Sequence, residues 1–198
     1  MARVHGAWRS HVSIWKWVQR LGSLLRGLFA CRARVALVDE GQVQIGSERW
    51  WFWLALEPSG RCILHLKLSA HRNGLVAYWF LRELKARCGV RYVLTDGAPF
   101  YPWACGQLRL RRHVAPLEVR NLVERCIEAL RDRLRGFDAY FPCRCSRKDH
   151  VRNFLALWRH WYNHVRHHME LGRPPWPAEG AAEYERLESL VREVIDLV

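Results

Sequence analysis

The sequence predicts an α/β domain: a five-stranded mixed sheet flanked by helices, with one helix ahead of it and further helices behind. Three observations predict it. Two apolar runs, VALVDE (35–40) and VLTDG (93–97), read as buried strands, each closing on an aspartate. Two further runs, 50–57 and 61–69, are joined by Pro58-Ser59-Gly60, which is turn chemistry, and so form an antiparallel hairpin. Between that hairpin and VLTDG lies a stretch of helical length. A helical crossover makes the fourth strand parallel to the first, which sets Asp39 and Asp96 side by side although 57 positions separate them. Strand-end acids lie where open α/β sheets place their ligands.

In chain order, Ser10–Phe29 has apolar residues at 14, 18, 21, 25 and 28, a helical spacing that Ser10 or Ser13 would cap. The third strand alternates Cys62, Leu64, Leu66 and Leu68 against Ile63, His65 and Lys67, so one face is buried. The crossover helix opens at Asn73-Gly74, presents Val76, Trp79, Phe80 and Leu84 on one side, and ends near Cys88-Gly89. A fifth strand is expected over 107–113, then a helix over 117–135 with the stripe Val119, Val123, Cys126, Ile127, Leu130 and Leu134. Another helix, 150–168, carries His160, His164, His167 and His168 beside Trp158 and Trp161. Its readings are an ordinary surface face, a nucleic-acid face or a metal site. Pro174-Pro175-Trp176-Pro177 breaks the chain before an acidic amphipathic helix.

Charge narrows the function. The chain of 198 residues carries a net +13, unevenly distributed: residues 1–34 hold seven Lys/Arg and no acid, whereas the last 25 residues are acidic. A basic body suits a polyanion, nucleic acid first and a membrane surface second. No apolar run approaches the roughly 18 residues that span a bilayer. Seven cysteines, an odd number in apolar contexts, read as reduced thiols of an intracellular protein. Cys143 and Cys145 make only a weak metal motif.

Acids after strands one and four, with a third on the later helix, form a set with a known chemical use. Three converging carboxylates hold two divalent ions about 4 Å apart for phosphodiester chemistry. Oxygen ligands favour Mg²⁺, with Mn²⁺ as substitute. VDE (38–40), TDGAPFYP (95–102) and RNLVERCIEALRDR (120–133) resemble the DDE transposases of bacterial and archaeal insertion sequences, whose catalytic domain is RNase H-like and integrase-like. The resemblance implies Asp39, Asp96 and Glu124 as catalytic metal ligands. It also implies Arg131, with Arg120 and Asn121, as DNA contacts, and a homodimer acting on element ends and target DNA in a prokaryotic, nucleoid-associated cytoplasmic setting.

Two departures qualify the match. Family members often place a longer stretch between the second acid and the glutamate than the 27 residues found here, so Asp132 competes on spacing alone. The front, with Lys16 and Arg20 on the first helix, resembles only the last helix of a helix-turn-helix, as if truncated. Expected boundaries are 1–34 for that DNA-binding remnant, 35–170 for the catalytic domain and 171–198 for the Pro-rich break and acidic helix. The expected activity is cleavage and strand transfer of an insertion sequence. The alternatives are a catalytically silent DNA-binding repressor, a stand-alone nuclease and a membrane-surface protein.

Overall fold

A computed structural model describes residues 2–4, 7–27, 32–135 and 148–175. The Cys143/Cys145 pair and the acidic terminal helix lie outside the described residues. Two compact units emerge, one drawn from Phe29–Lys148 and the other from Met1–Leu28 with Asp149–Val198.

The second unit begins with a short antiparallel hairpin, β1 (Ala2–Val4) and β2 (Ala7–Arg9), which the sequence did not suggest. Helix α1 (His11–Leu25) follows, and Ser10 is its cap, accepting from the Ser13 N–H at 3.1 Å. It packs on α5 (Lys148–His164), which ends one turn short of the expected span. The helices approach so closely at Gly22 that an added Cβ would lie 2.2 Å from the Asn153 carbonyl oxygen. Gln19 bonds both the His150 carbonyl and the Asn153 amide, and Arg26 pairs with Asp149 at 2.9 Å.

The sheet unit comprises β3 (Val35–Ile45), β4 (Glu48–Leu56), β5 (Ile63–Ser69), α2 (Gly74–Cys88), β6 (Tyr92–Thr95), α3 (Phe100–Gln107), β7 (Arg111–Val114) and α4 (Leu117–Arg135). Strand order is β5-β4-β3-β6-β7, with β5, β4 and β3 antiparallel and β3, β6 and β7 parallel. The expected five-stranded mixed sheet is therefore present.

Three local expectations are corrected. The first strand runs on to Ile45, turning at Gly46, whose φ of 59° suits a two-residue hairpin. The fifth strand is Arg111–Val114 rather than 107–113, because residues 100–107 form α3. Trp79, expected in the core, is 43% exposed; the buried face of α2 is Ala77, Phe80, Leu81, Leu84 and Cys88.

Alternation along β3 divides the core. Ala36 and Val38 join Trp53, Ala55, Leu64 and Val93 beneath α2 and α3. Leu37 belongs to the opposite face, over which α4 packs with Val123, Cys126, Ile127 and Leu130 buried. Gly41 lies opposite Phe52 in the β3–β4 register, and an added Cβ would meet the Phe52 ring at 2.2 Å. The glycine is required for space: the fully buried ring lies over the strand backbone there, a burial that contributes roughly 2 kcal/mol. Caps hold α2 in place. Asn73 accepts from the Val76 N–H, and Gly89, at φ 73°, donates to the Lys85 carbonyl.

Candidate active site

The parallel ladder between β3 and β6 pairs Val35 with Tyr92, Ala36 with Val93 and Leu37 with Leu94. The same offset carried two residues further sets Asp39 level with Asp96. There β6 has ended while β3 continues on β4, so a notch opens beside β3. Asp39, Glu40 and Asp96 meet at this notch, each offering a carboxylate oxygen within 4.8 Å of the others.

Each acid is held differently. Asp39 belongs to the α4 face of the sheet, and its Oδ1 accepts from the Glu40 backbone N–H at 2.8 Å. Burial above all, and then the charges of Glu40 and Asp96, push its carboxyl up to about 6; the backbone hydrogen bond and the Arg120 charge act the other way. Asp96 closes an Asx-type turn, its Oδ1 accepting from the Ala98 N–H at 3.0 Å. Arg112 of β7 braces that turn, donating from Nε to Thr95 Oγ1 and from Nη2 to the Asp96 carbonyl, both at 2.9 Å.

Glu40 belongs to the other face, and its side chain is 1% exposed. The Tyr101 hydroxyl donates to Oε2 at 2.6 Å, and Arg72 donates to Oε1 at 2.5 Å. Burial and the Glu40 charge hold the Tyr101 hydroxyl well above its ordinary range, so it stays a donor. The Arg72 guanidinium lies over the Trp51 and Phe100 rings, each centroid 5.3 Å away, and reaches Asp96 Oδ2 at 4.0 Å. Among the acids of the notch, Glu40 is thus neutralised within the protein, whereas Asp39 and Asp96 keep oxygen atoms available. Hard oxygen donors carrying unbalanced negative charge fit a divalent cation such as Mg²⁺.

Glu124 lies outside the 4.8 Å cluster. It sits on α4 with its side chain 45% exposed, and its Oε1 is 3.7 Å from Arg120 Nη2. Arg120 also acts electrostatically on Asp39, so this arginine links the helix to the notch. Asn121 is exposed one residue further on, and Arg131 pairs with Glu128 two turns beyond Glu124. Asp132, the competing acid, is exposed eight residues past Glu124. Lys16 and Arg20 are exposed one turn apart on α1, in the other compact unit.

Sequence reasoning gave no role to Glu40, Tyr101, Arg72 or Arg112. Glu40 and Tyr101 lie inside the quoted VDE and TDGAPFYP segments. Nothing local marks Arg72 or Arg112. No helix among the described residues is long and apolar enough to cross a membrane.

No protein-family model matches the chain. The uncharacterised protein MJ0017 of Methanocaldococcus jannaschii is 25% identical over 158 residues, which is 79% of this chain and 73% of that protein. The HTLV-2 integrase catalytic core domain, solved in complex with magnesium, superposes with a TM-score of 0.56 at 12% identity, covering 75% of this chain and 97% of that one. The BIV integrase catalytic core gives 0.53 at 18% identity over 79% and 98%. A chain of the simian T-cell lymphotropic virus intasome gives 0.59 at 16% identity; it is matched over 76% of this chain but only 56% of its own length. The shared feature is the fold: the sheet unit is RNase H-like, of the integrase catalytic-core type.

Proposed function

We propose that the chain is a metal-dependent polynucleotidyl transferase, and more narrowly a DDE transposase that cleaves and joins the ends of an insertion sequence. The observation that carries this reading is the meeting of Asp39, Glu40 and Asp96 at the notch beside β3, in an integrase-core fold. Asp39 and Asp96 would hold divalent ions, with Glu124 joining from α4 once released from Arg120. Bound Mg²⁺ would supply positive charge for the attacking and leaving oxygens of a phosphodiester. The protein's own groups prepare the place. Tyr101 and Arg72 fix Glu40, Arg112 fixes the Asp96 turn, and Asp39 must be unprotonated to act as a ligand.

Arg120, Asn121 and Arg131 are assigned to DNA near the site, and Lys16 and Arg20 to DNA on the other unit. A homodimer acting on two ends in a prokaryotic cytoplasm completes the reading.

Joining of a labelled duplex with a free 3′-OH to supercoiled plasmid, in Mg²⁺ or Mn²⁺, tests it. Activity in the wild type that is lost in Asp39→Asn, Asp96→Asn and Glu124→Gln but kept in Asp132→Asn is the expected result. DNA binding without nicking or joining in either metal would replace this reading with a silent DNA-binding protein. Loss in Asp132→Asn alone would move the third acid.

A further inference from the structure

The opposite end of the same parallel strands is basic. Arg34, Arg91 and Arg111 stand at the starts of β3, β6 and β7, and the backbone ties them together. The Arg91 and Tyr92 N–H groups donate to the Arg34 carbonyl, and the Arg111 N–H donates to the Arg91 carbonyl. Adjacent strands are about 4.8 Å apart, so the three starts form a row. Together with Lys85, Tyr92 and Arg109 they line a groove of about 460 Å³.

The groove is built as well as charged. The half-buried Tyr92 ring carries the Arg34 and Arg111 guanidinium groups, each 5.5 Å from its centroid, and its hydroxyl accepts from Arg111 Nη1 at 3.1 Å. Lys85 Nζ is anchored on the Leu108 carbonyl at 2.7 Å. Arg109 takes a φ of 51°, a backbone that glycine adopts more readily, yet the position carries a cation. None of the ion pairs among the described residues includes Arg34, Lys85, Arg91, Arg109 or Arg111. Five cations without counter-charge among the described residues repel one another, and a folded groove that keeps them suits a polyanion supplied from outside.

We infer that this groove is a second DNA-binding site, taking the phosphodiester backbone of a duplex at the end of the sheet away from the acids. From Arg34 to Asp39 is five residues of strand, roughly 17 Å, so the groove lies beyond contact distance of the notch. The Arg34 and Arg111 guanidinium groups, held against the Tyr92 ring, suit phosphate oxygens rather than base edges, so the contact is independent of sequence. That the polyanion is DNA rests on the function proposed above; that the groove binds phosphodiesters does not.

Fluorescence anisotropy of a labelled 20-bp duplex tests it, with the full chain in EDTA between 50 and 300 mM KCl. Without divalent ions the notch is out of play, so a failed joining reaction and a failed groove are read separately. Arg91→Gln/Arg109→Gln removes two exposed cations and should flatten the slope of log K against log salt by about 1.8, near 0.9 per phosphate contact. Arg34→Gln/Arg111→Gln should give a similar loss. The charge-matched control Arg49→Gln/Arg82→Gln should keep the wild-type slope. An unchanged slope in both groove variants, an equal loss in the control, or no DNA binding by the wild type would overturn the inference. Equal capture of the wild type by phosphatidylserine vesicles, lost in the same variants, would reassign the groove to a membrane surface.

Discussion

The two ends of one set of parallel strands carry opposite charge and handle it differently. At the carboxyl end the acids are drawn into the fold, Glu40 is neutralised by Arg72 and hydrogen-bonded by Tyr101, and burial pushes Asp39 up to about 6. At the amino end the arginines stay in solvent, two of them over a tyrosine ring, with no acid paired to them among the described residues. Water and salt screen the exposed cations, whereas the half-buried acids are screened far less. One end therefore offers clustered, half-buried acids that suit the compact cation proposed for it. The other is shaped to meet an extended anion.

That contrast breaks most sharply at the acids. Asp39→Asn or Asp96→Asn is expected to lower metal-dependent plasmid nicking by at least about 1,000-fold, while EDTA-phase DNA binding stays within about 2-fold of wild type; loss of both activities together would merge the two ends into one site.

Next in size is the arginine that balances the buried Glu40. Arg72→Met leaves Glu40 buried without its partner and should cost about 3 kcal/mol in urea unfolding. The double variant Arg72→Met/Glu40→Gln should recover more than half of that loss. No recovery would mean that Arg72 matters through its stacking on Trp51 and Phe100 rather than through charge.

Close packing around the acid strand comes third. Gly41→Ala must displace the Phe52 ring and should cost about 2 kcal/mol; a neutral outcome would show that the ring has room to move.

The smallest effect sharpens the comparison with an acid in the reverse environment. Glu83 on α2 is held down to about 2, first by its hydrogen bond with His65 and then by Lys67, with distances of 2.9 and 2.6 Å. A lowered folded pKa contributes stability above the ordinary value of 4.5, and that stability is lost as pH falls toward 2. Glu83→Gln should thus be about 1 kcal/mol less stable at pH 7 and no different from wild type near pH 2. A difference that persists in acid would assign the loss to packing.

Much of the acid end was legible in the sequence because strand periodicity and a crossover helix fix a parallel register. An offset of 57 between Val35 and Tyr92 is the same offset that separates Asp39 from Asp96. The part that escaped depends on side-chain direction and distant contacts. Glu40 is adjacent to Asp39 in the chain but on the other face of the strand, and its partners come from 32 and 61 positions away. Helix α3 was not foreseen; Pro99 stands at its cap and Pro102 in its first turn, where a proline blocks no hydrogen bond that the helix needs. The basic row was visible in part as an arginine ahead of VALVDE and another ahead of YVLT. Its meaning emerges only when β7 adds Arg111 beside them.

Pairing by register has a consequence for how such a chain changes over generations. The turn at 58–60 and the segment 70–73 lie between the two aspartates in sequence but outside the ladder that aligns them, so gaining or losing residues there leaves the acids level. A single residue inserted into β3 ahead of Asp39 is another matter. It would turn Asp39 toward Tyr101 and Arg72 and the residue before it toward α4, exchanging the faces on which the available and the locked acid lie. Length variation among descendants should therefore collect in the connections and spare the first five residues of the strand.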